Sequence, residues 1–166
     1  MLILIEGADG SGKSTLCKNL KNEKYNVTFI PRDTKNIYKA YKKCLKQSKH
    51  KIVFIDRSYI TDIVYRLARR DCKPSFTNKQ IASLLYNTKI IYCKSDEAYN
   101  CAIKRGENNI TNKTLHDKIC KIYDYIMYYI KVFANVEVMN YDWHSMSIDS
   151  VIKFIEGGDN NDAVSV

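Results

Sequence analysis

The sequence predicts an α/β protein in which helices cover both faces of a parallel β-sheet. Short apolar runs rich in β-branched residues alternate with longer segments of helical spacing, which is the pattern of repeated strand–helix units. The runs LILI, IVFI and KIIY are almost continuously apolar, as in strands that are buried on both sides. The 166 residues suffice for one such core but not for two. We therefore expect a single domain over residues 1–157.

Five strands and six shorter helices are expected along the chain. The strands cover residues 2–6, 27–30, 51–56, 89–92 and 136–139. The shorter helices cover approximately residues 13–20, 36–45, 59–70, 78–86, 96–105 and 148–155. Thr77 or Asn78 can cap the fourth of these helices, and Ser147 can cap the last. Gly157 and Gly158 end that last helix.

One longer helix is predicted by apolar residues at alternating spacings of three and four. Its stripe consists of Leu115, Ile119, Ile122, Ile126, Tyr129 and Phe133. A helix places such residues on one face, which we expect to be buried. The aromatic rings of this stripe then belong to the core rather than to a platform on which bases stack. The last residues, 158–166, are expected to form a disordered tail.

Composition narrows the class of protein. No apolar run approaches the roughly 20 residues that cross a bilayer, and the N-terminal run ends at Glu6 and a glycine-rich turn, unlike a secretory signal. We therefore expect a cytoplasmic protein.

The six cysteines have neither C-x-x-C nor zinc-finger spacing, which predicts reduced, structural thiols. The three histidines fit no catalytic pattern, and the net charge of +9 is compatible with nucleic acid, phosphorylated metabolites or mere solubility.

A phosphate-binding motif directly follows the first strand. GADGSGKST fits G-x-x-x-x-G-K-[ST], and its members are Gly7, Ala8, Asp9, Gly10, Ser11, Gly12, Lys13, Ser14 and Thr15. In such a loop, glycines let successive N–H groups and the helix N-terminus face phosphate oxygens. Lys13 reaches the β- and γ-phosphates, and Ser14 can bind Mg²⁺. The motif predicts ATP and Mg²⁺ as ligands.

The P-loop and the end of the third strand together resemble the thymidylate kinase and deoxynucleoside kinase group of P-loop kinases. The resemblance rests on IEGADGSGKST, on Asp56-Arg57-Ser58 with the segment 59–65, and on Lys104-Arg105-Gly106-Glu107. It implies a three-layer P-loop kinase fold. Thymidylate kinases have Asp-Arg-Tyr and a later Ser where this chain has Ser58 and Thr61, while Asp-Arg-Ser is similar to the Glu-Arg-Ser of deoxynucleoside kinases. The motif therefore supports the wider group better than either branch.

Asp56 and Arg57 are candidates for binding the metal and the acceptor. A carboxylate at the C-terminal end of a strand beside the P-loop can orient Mg²⁺. The resemblance implies that Arg57 holds the phosphate of an acceptor monophosphate, which suits its planar fork. The alternative for both residues is a solvated ion pair at a strand end. Arg32 resembles the Arg of a Pro-x-Arg turn that binds the same phosphate in some thymidylate kinases. The alternative is that Arg32 is a cation in a surface turn.

Three further residues are assigned by the resemblance alone. Asp9 is similar to an Asp that contacts the sugar 3′-hydroxyl in thymidylate kinases, unless it stabilises an Asx-type turn. Glu6 matches a residue that acts as base on the 5′-hydroxyl in deoxynucleoside kinases. The alternative is that the Glu6 carboxylate orients the metal or a loop. Arg66 falls where thymidylate kinases contact the base. An exposed basic face shared with Arg69 and Arg70 is the alternative for Arg66.

The lid is expected around residues 104–112, with Arg105 as the cation that stabilises the transition state. Phosphoryl transfer requires positive charge around the transferring group, and the P-loop has Gly10 where some thymidylate kinases carry an Arg. The resemblance implies two lid arginines at helical spacing, but Cys101 stands four residues before Arg105. Either one Arg suffices or Lys104 shares the task. Alternatively, Lys104 and Arg105 complement the C-terminus of their helix.

The leading prediction is a kinase that uses ATP and Mg²⁺ to phosphorylate a deoxynucleoside monophosphate, with thymidylate as the first choice. Two arginines at strand ends favour it over a deoxynucleoside kinase acting on a 5′-hydroxyl, which needs a base such as Glu6. Other classes are a P-loop ATPase or 5′-polynucleotide kinase and a nucleotide binder without turnover. We expect a small-molecule nucleotide as partner, no nucleic acid and no membrane, and the family implies a homodimer.

Overall fold

Five parallel strands form the central sheet of the protein. The computed structural model describes residues 1–23, 25–31, 34–69, 76–106 and 112–157. The strands are β1 (Leu2–Glu6), β2 (Val27–Phe29), β3 (Val53–Asp56), β4 (Thr88–Cys93) and β5 (Glu137–Tyr141), in the sheet order β2-β3-β1-β4-β5. The predicted α/β class with about five parallel strands is confirmed. Arg32, most of the predicted lid and the predicted tail lie outside the described residues.

Seven helices are present in the described residues. They are α1 (Lys13–Asn22), α2 (Ile37–Gln47), α3 (Tyr59–Arg69), α4 (Asn78–Leu85), α5 (Ala98–Lys104), α6 (Lys113–Phe133) and α7 (Ile148–Glu156). Thr77 caps α4 in a full capping box with Gln80, and Ser147 caps α7, as expected. None of the helices within the described ranges combines the length and the hydropathy that crossing a bilayer requires.

The sheet separates two apolar cores, one on each face. Successive residues of a strand point to opposite faces. In β1, Leu2 and Leu4 belong to the core that includes residues of α2, α3, α4 and α6, whereas Ile3 and Ile5 belong to the core that includes residues of α1 and α7. All four side chains are at most 1% exposed. Burial on both faces explains why the strand sequence is continuously apolar.

The buried face of α6 differs from the prediction. Ile119 is fully buried, but Tyr129 and Phe133 are 52% and 68% exposed. The buried residues are His116, Ile119, Tyr123, Met127 and Ile130. Apolar side chains stand at neighbouring positions along α6, so their period predicts the helix but does not decide which of two adjacent stripes faces inward. A core position for Tyr129 and Phe133 was therefore a wrong expectation.

The cysteines that the structure describes are free thiols, as predicted. They are Cys17, Cys44, Cys93, Cys101 and Cys120. Burial raises the pKa of Cys17 to about 12 and that of Cys120 to about 11, which keeps both thiols protonated and unreactive near neutral pH. Their role is that of small apolar side chains. Cys72 lies outside the described residues.

The loop after β1 begins where the strand order changes direction. β1 has β3 on one side and β4 on the other, and all the strands end at the same edge because they are parallel. The crevice beyond the carboxyl ends of the strands at such a switch point is where open α/β sheets bind ligands. The fold therefore places residues 7–12 at the expected ligand-binding edge.

We predict that Ile91→Ala lowers the free energy of unfolding by about 2–5 kcal/mol, because it leaves a cavity in a fully buried strand. Ile103→Ala makes the same chemical change at a side chain that is 50% exposed, and its effect should stay within about 0.5 kcal/mol. Urea unfolding of the two variants measures both values. Equal losses would contradict the central position of β4.

Candidate functional site

The loop between β1 and α1 folds around the side chain of Lys13. Lys13 is the first residue of α1 and is 4% exposed. Its Nζ donates to the Gly7 carbonyl at 2.8 Å and to the Ala8 carbonyl, so the ammonium group lies inside the loop. Burial lowers the pKa of Lys13, and the nearby Arg57 cation lowers it further. A negatively charged ligand in the loop would favour the charged ammonium.

Two glycines of the loop are required by close contacts as well as by backbone conformation. Gly10 and Gly12 have φ values of 83° and 90°, a left-handed region in which other residues are strained. A Cβ atom on Gly10 would collide with the carbonyl of Ala98 in α5, and one on Gly12 would collide with the ring of Trp143. The P-loop is therefore packed tightly between α5 and the segment that follows β5.

Asp56 and Ser14 fit the predicted magnesium site. Asp56 ends β3 and pairs in register with Ile5 of β1, which places it beside the start of the P-loop. Its Oδ1 is buried and has no hydrogen-bond partner among the described residues, while Ser14 is exposed in the first turn of α1. A carboxylate and a hydroxyl are hard ligands that Mg²⁺ combines with phosphate oxygens. No group of three or more His, Cys, Asp or Glu in the described segments could hold a metal.

Arg57 and Asp9 form an ion pair beside the P-loop. Nη2 of Arg57 lies 2.8 Å from Oδ1 of Asp9, which is fully buried, whereas the Arg57 side chain is 24% exposed. The pair links β3 to the P-loop, so the partner of Arg57 is not the adjacent Asp56. The Arg57 side chain is thus partly accessible although its partner is buried.

The backbone of Arg57 is strained. Its φ is 61°, a left-handed conformation that costs a non-glycine residue about 1–3 kcal/mol and that clusters at functional sites. Hydrogen bonds hold it there: Arg57 N–H donates to the Ile5 carbonyl at 3.0 Å, and the Tyr41 hydroxyl donates to the Arg57 carbonyl at 3.4 Å. This supported strain identifies Arg57 as a functional candidate independently of any resemblance.

Glu6 belongs to a buried network between β1, α3 and α6. It is 0% exposed, and its two carboxylate oxygens accept from Ser58 N–H and from the Thr61 hydroxyl, both at 2.7 Å. The hydroxyl of Tyr123 donates to Thr61 at 2.9 Å. Burial raises the pKa of Glu6 although these donors oppose the shift. The geometry matches the alternative in which Glu6 orients a loop, and its role as a base stays a prediction.

Arg66 pairs within its own helix, and Arg105 lies at the end of α5. Nε of Arg66 donates to both carboxylate oxygens of Asp62 at 3.0 Å. Arg105 is the exposed C-cap residue of α5, and among the described residues it has no ion pair or side-chain hydrogen bond. Its place at a helix C-terminus also fits the dipole alternative. Arg69 is exposed as expected, whereas Arg32 and Arg70 lie outside the described residues.

His116 and Tyr65 contact the P-loop although no sequence pattern marks them. His116 is 3% exposed, and its Nε2 lies 3.1 Å from the Asp9 carbonyl oxygen. Since a carbonyl can only accept, Nε2 carries the proton. On the other side, Asp9 N–H donates to the Tyr65 hydroxyl at 3.3 Å. Tyr65 stands four residues after Thr61, so its helix face could have been predicted, but nothing local predicts the contact made by His116.

The topology and the P-loop define the class of fold. The five-stranded parallel sheet, with helices on both faces and Lys13 enclosed at the switch point, is the fold of P-loop nucleotide kinases. The predicted three-layer P-loop kinase fold is thus confirmed.

Solved structures share this fold over nearly the whole chain. YorR from Bacillus subtilis, in complex with phosphorylated GDP, matches with a TM-score of 0.69 and 23% identity over 95% of this chain and 94% of YorR. Deoxyadenosine kinase from M. mycoides with bound dATP matches with a TM-score of 0.63 and 18% identity, covering 94% of this chain and 99% of that chain. The same enzyme with the products dCMP and a flexible dCDP gives a TM-score of 0.59. No protein-family model and no curated protein matches the sequence. The thymidylate kinase branch stays a prediction.

We predict that Glu6→Gln changes the pH dependence of stability. Burial raises the pKa of Glu6 in the folded protein above its ordinary value of 4.5, so the native state binds this proton more tightly than the unfolded chain does. The contribution of Glu6 is therefore complete below pH 4.5 and is lost as the pH rises through the folded pKa. Relative to Glu6→Gln, the wild-type protein should lose stability as the pH rises from about 4.5 through the pKa of Glu6 in the folded protein.

Urea unfolding of both proteins across this pH range measures the difference in the free energy of unfolding. Glu23→Gln, at an exposed position of the chain, is the matched control. A wild-type protein that gains stability relative to Glu6→Gln with rising pH would contradict the burial of this carboxyl group.

Proposed function

We propose that this protein is a kinase that transfers the γ-phosphate of ATP to a deoxynucleoside monophosphate, with thymidylate as the first choice. One observation carries the proposal: the buried ammonium of Lys13 in the P-loop is adjacent to the Asp9–Arg57 pair. A cation for the donor phosphates and a cation for the acceptor are thus neighbours, as direct transfer between them requires. The shared fold with a deoxyadenosine kinase supports the kinase part of the proposal and does not distinguish the two acceptors.

The donor site would be formed mainly by the main chain. The N–H groups of residues 7–12 and the N-terminus of α1 would hold the β- and γ-phosphates, and Lys13 would neutralise part of their charge. Mg²⁺ would be held by Ser14 and Asp56 and would neutralise charge on the phosphate oxygens. Arg105 would approach the transferring group from the lid, which remains a prediction.

The acceptor would be held by Arg57. Its guanidinium presents several donors in a fixed fork, so it can keep Asp9 on one side and bind a phosphate on the other. A monophosphate brings its own nucleophilic oxygen, whereas a 5′-hydroxyl needs a base. Both oxygens of Glu6 are occupied by Ser58 and Thr61. The network around Glu6 therefore favours the monophosphate.

A deoxynucleoside kinase acting on the 5′-hydroxyl is the second candidate. The deoxyadenosine kinase from M. mycoides shares the fold over 94% of this chain, and Asp56-Arg57-Ser58 is similar to the Glu-Arg-Ser of such enzymes. This candidate requires a base, and Glu6 would have to leave its network with Ser58 and Thr61 to act as one.

The proposal is tested by ADP formation from ATP and Mg²⁺ with a panel of deoxynucleosides and their monophosphates. We expect turnover with at least one monophosphate and none in Lys13→Ala, because the P-loop then lacks its cation. Lys18→Ala, at an exposed position of the same helix, should keep wild-type activity. Turnover with nucleosides alone would establish the second candidate. Binding of ATP without turnover of any acceptor would indicate a nucleotide binder.

Arg57 and Arg105 should affect different kinetic constants. Arg57→Ala removes a charged contact to the acceptor in both ground and transition states and should raise its KM by about 10- to 100-fold with a smaller change in kcat. Arg105→Ala removes a contact made only in the transition state and should lower kcat by about 100-fold or more. Steady-state kinetics with the preferred acceptor measures both constants. An unchanged kcat in Arg105→Ala would show that the lid assignment is wrong.

A further inference from the structure

The positive charge of the chain is concentrated in one segment. Residues 34–55 contain seven lysines and no Asp or Glu, and the lysines are Lys35, Lys39, Lys42, Lys43, Lys46, Lys49 and Lys51. The other 20 of the 27 basic residues are balanced to within two charges by the 18 acidic residues of the chain. The net charge of +9 is therefore mainly a property of α2 and its flanking turns, not of the whole surface.

The structure places four of these lysines in one exposed row on α2. Lys39, Lys42, Lys43 and Lys46, which we call the α2 stripe, are all exposed, and their spacing puts them on one side of the helix over about 10 Å. The opposite side is buried, with Tyr41 and Cys44 at 2% and 6% exposure. None of the four lysines forms an ion pair with another residue that the structure describes.

We propose that the α2 stripe is a docking surface for the phosphate backbone of duplex nucleic acid. Duplex DNA carries one negative charge per roughly 1.7 Å of its axis, so a row of about 10 Å meets several phosphates at once. Contacts to phosphates alone carry no sequence information, and the surface accordingly binds without sequence preference. The net charge of the chain alone gives no reason to expect a nucleic acid as partner. The concentration of that charge on one helix does.

Two other polyanions fit this face less well. A helix that binds an anionic membrane inserts its apolar side, but the apolar side of α2 is buried in the protein core. Proteins that bind single strands stack the bases on exposed aromatic rings. The rings on α2 do not offer such a platform: Tyr41 is buried, and Tyr38 has Lys42 over its ring and its hydroxyl 3.2 Å from the Ser83 hydroxyl.

The α2 stripe starts near the P-loop edge of the sheet and leads away from it. α2 connects the carboxyl end of β2 to the amino end of β3, and the contact of Tyr41 with the Arg57 carbonyl marks its end near the P-loop. The lysines extend on the outer side of this helix, outside the P-loop. Binding of a duplex therefore goes beyond the proposed kinase function and requires neither ATP nor Lys13.

The test measures binding of a radiolabelled DNA duplex of about 20 base pairs by filter binding, at several salt concentrations. Neutralising Z phosphates gives a slope of about −0.9Z in log K against log salt, so four lysines account for up to about −3.6. This corresponds to a loss of affinity of roughly 100-fold between about 50 and 200 mM salt. We expect K39Q/K42Q/K43Q/K46Q to flatten the slope by about three.

The matched control is K18Q/K21Q/K121Q/K131Q, which removes the same charge from exposed positions of α1 and α6. It should bind with a slope close to that of the wild-type protein. Circular dichroism and thermal unfolding check that both variants fold. If the stripe variant does not fold, the double variant K42Q/K46Q replaces it, with an expected flattening of about two.

Four outcomes would overturn the proposal. The first is no binding at about 50 mM salt, where phosphate contacts are strongest. The second is an equal loss in the stripe and control variants, which would mean that binding follows total charge. The third is displacement of the duplex by ATP and Mg²⁺ but not by the same concentration of Mg²⁺ alone, which would place the duplex in the P-loop. The fourth is tighter binding to a single strand or to phosphatidylserine vesicles than to the duplex. If the protein shows no kinase activity but binds the duplex as expected, the α2 stripe is still established as a docking surface.

Discussion

An ammonium group enclosed by main-chain carbonyls is the interaction around which the site is organised. Burying a charge is costly unless it is paired, and Lys13 is 4% exposed. The carbonyls of Gly7 and Ala8 compensate part of this cost, and the carboxylates of Asp9 and Asp56 favour the charged form. The tight loop, its glycines and the nearby acidic groups can all be understood as consequences of keeping one cation where phosphates would bind.

The same loop is held in place by three helices that are distant in sequence. Ala98 of α5 packs against Gly10, His116 of α6 donates to the Asp9 carbonyl, and the Tyr65 hydroxyl of α3 accepts from Asp9 N–H. α5 and α6 flank the predicted lid, and α3 begins just after Arg57. The loop, Arg57 and the helices α3, α5 and α6 are therefore parts of one packed unit, so a shift in α5 or α6 reaches the P-loop through direct contacts.

Features encoded within a short stretch of chain could be predicted from the sequence, whereas contacts between distant stretches could not. Buried strands and the turn from strand to helix are local patterns: β1 was predicted with its observed bounds, and α1 with its observed start at Lys13. The inward face of α6 was not, because Tyr129 and Ile130 are adjacent apolar residues and only packing chooses between them. The contact of His116 with Asp9 joins residues 107 positions apart, and the Arg57–Asp9 pair depends on the register between β1 and β3. No periodicity contains that information.

The packing of Trp143 against Gly12 has a practical consequence. The chain contains a single tryptophan, and its ring occupies the space that a side chain on Gly12 would need. Its Nε1 is buried and has no hydrogen-bond partner in the described part of the chain. Indole emission responds to nearby charge and hydration, so the protein carries an intrinsic fluorophore in contact with its P-loop. Events at this loop can be followed optically without attaching a dye or changing a residue.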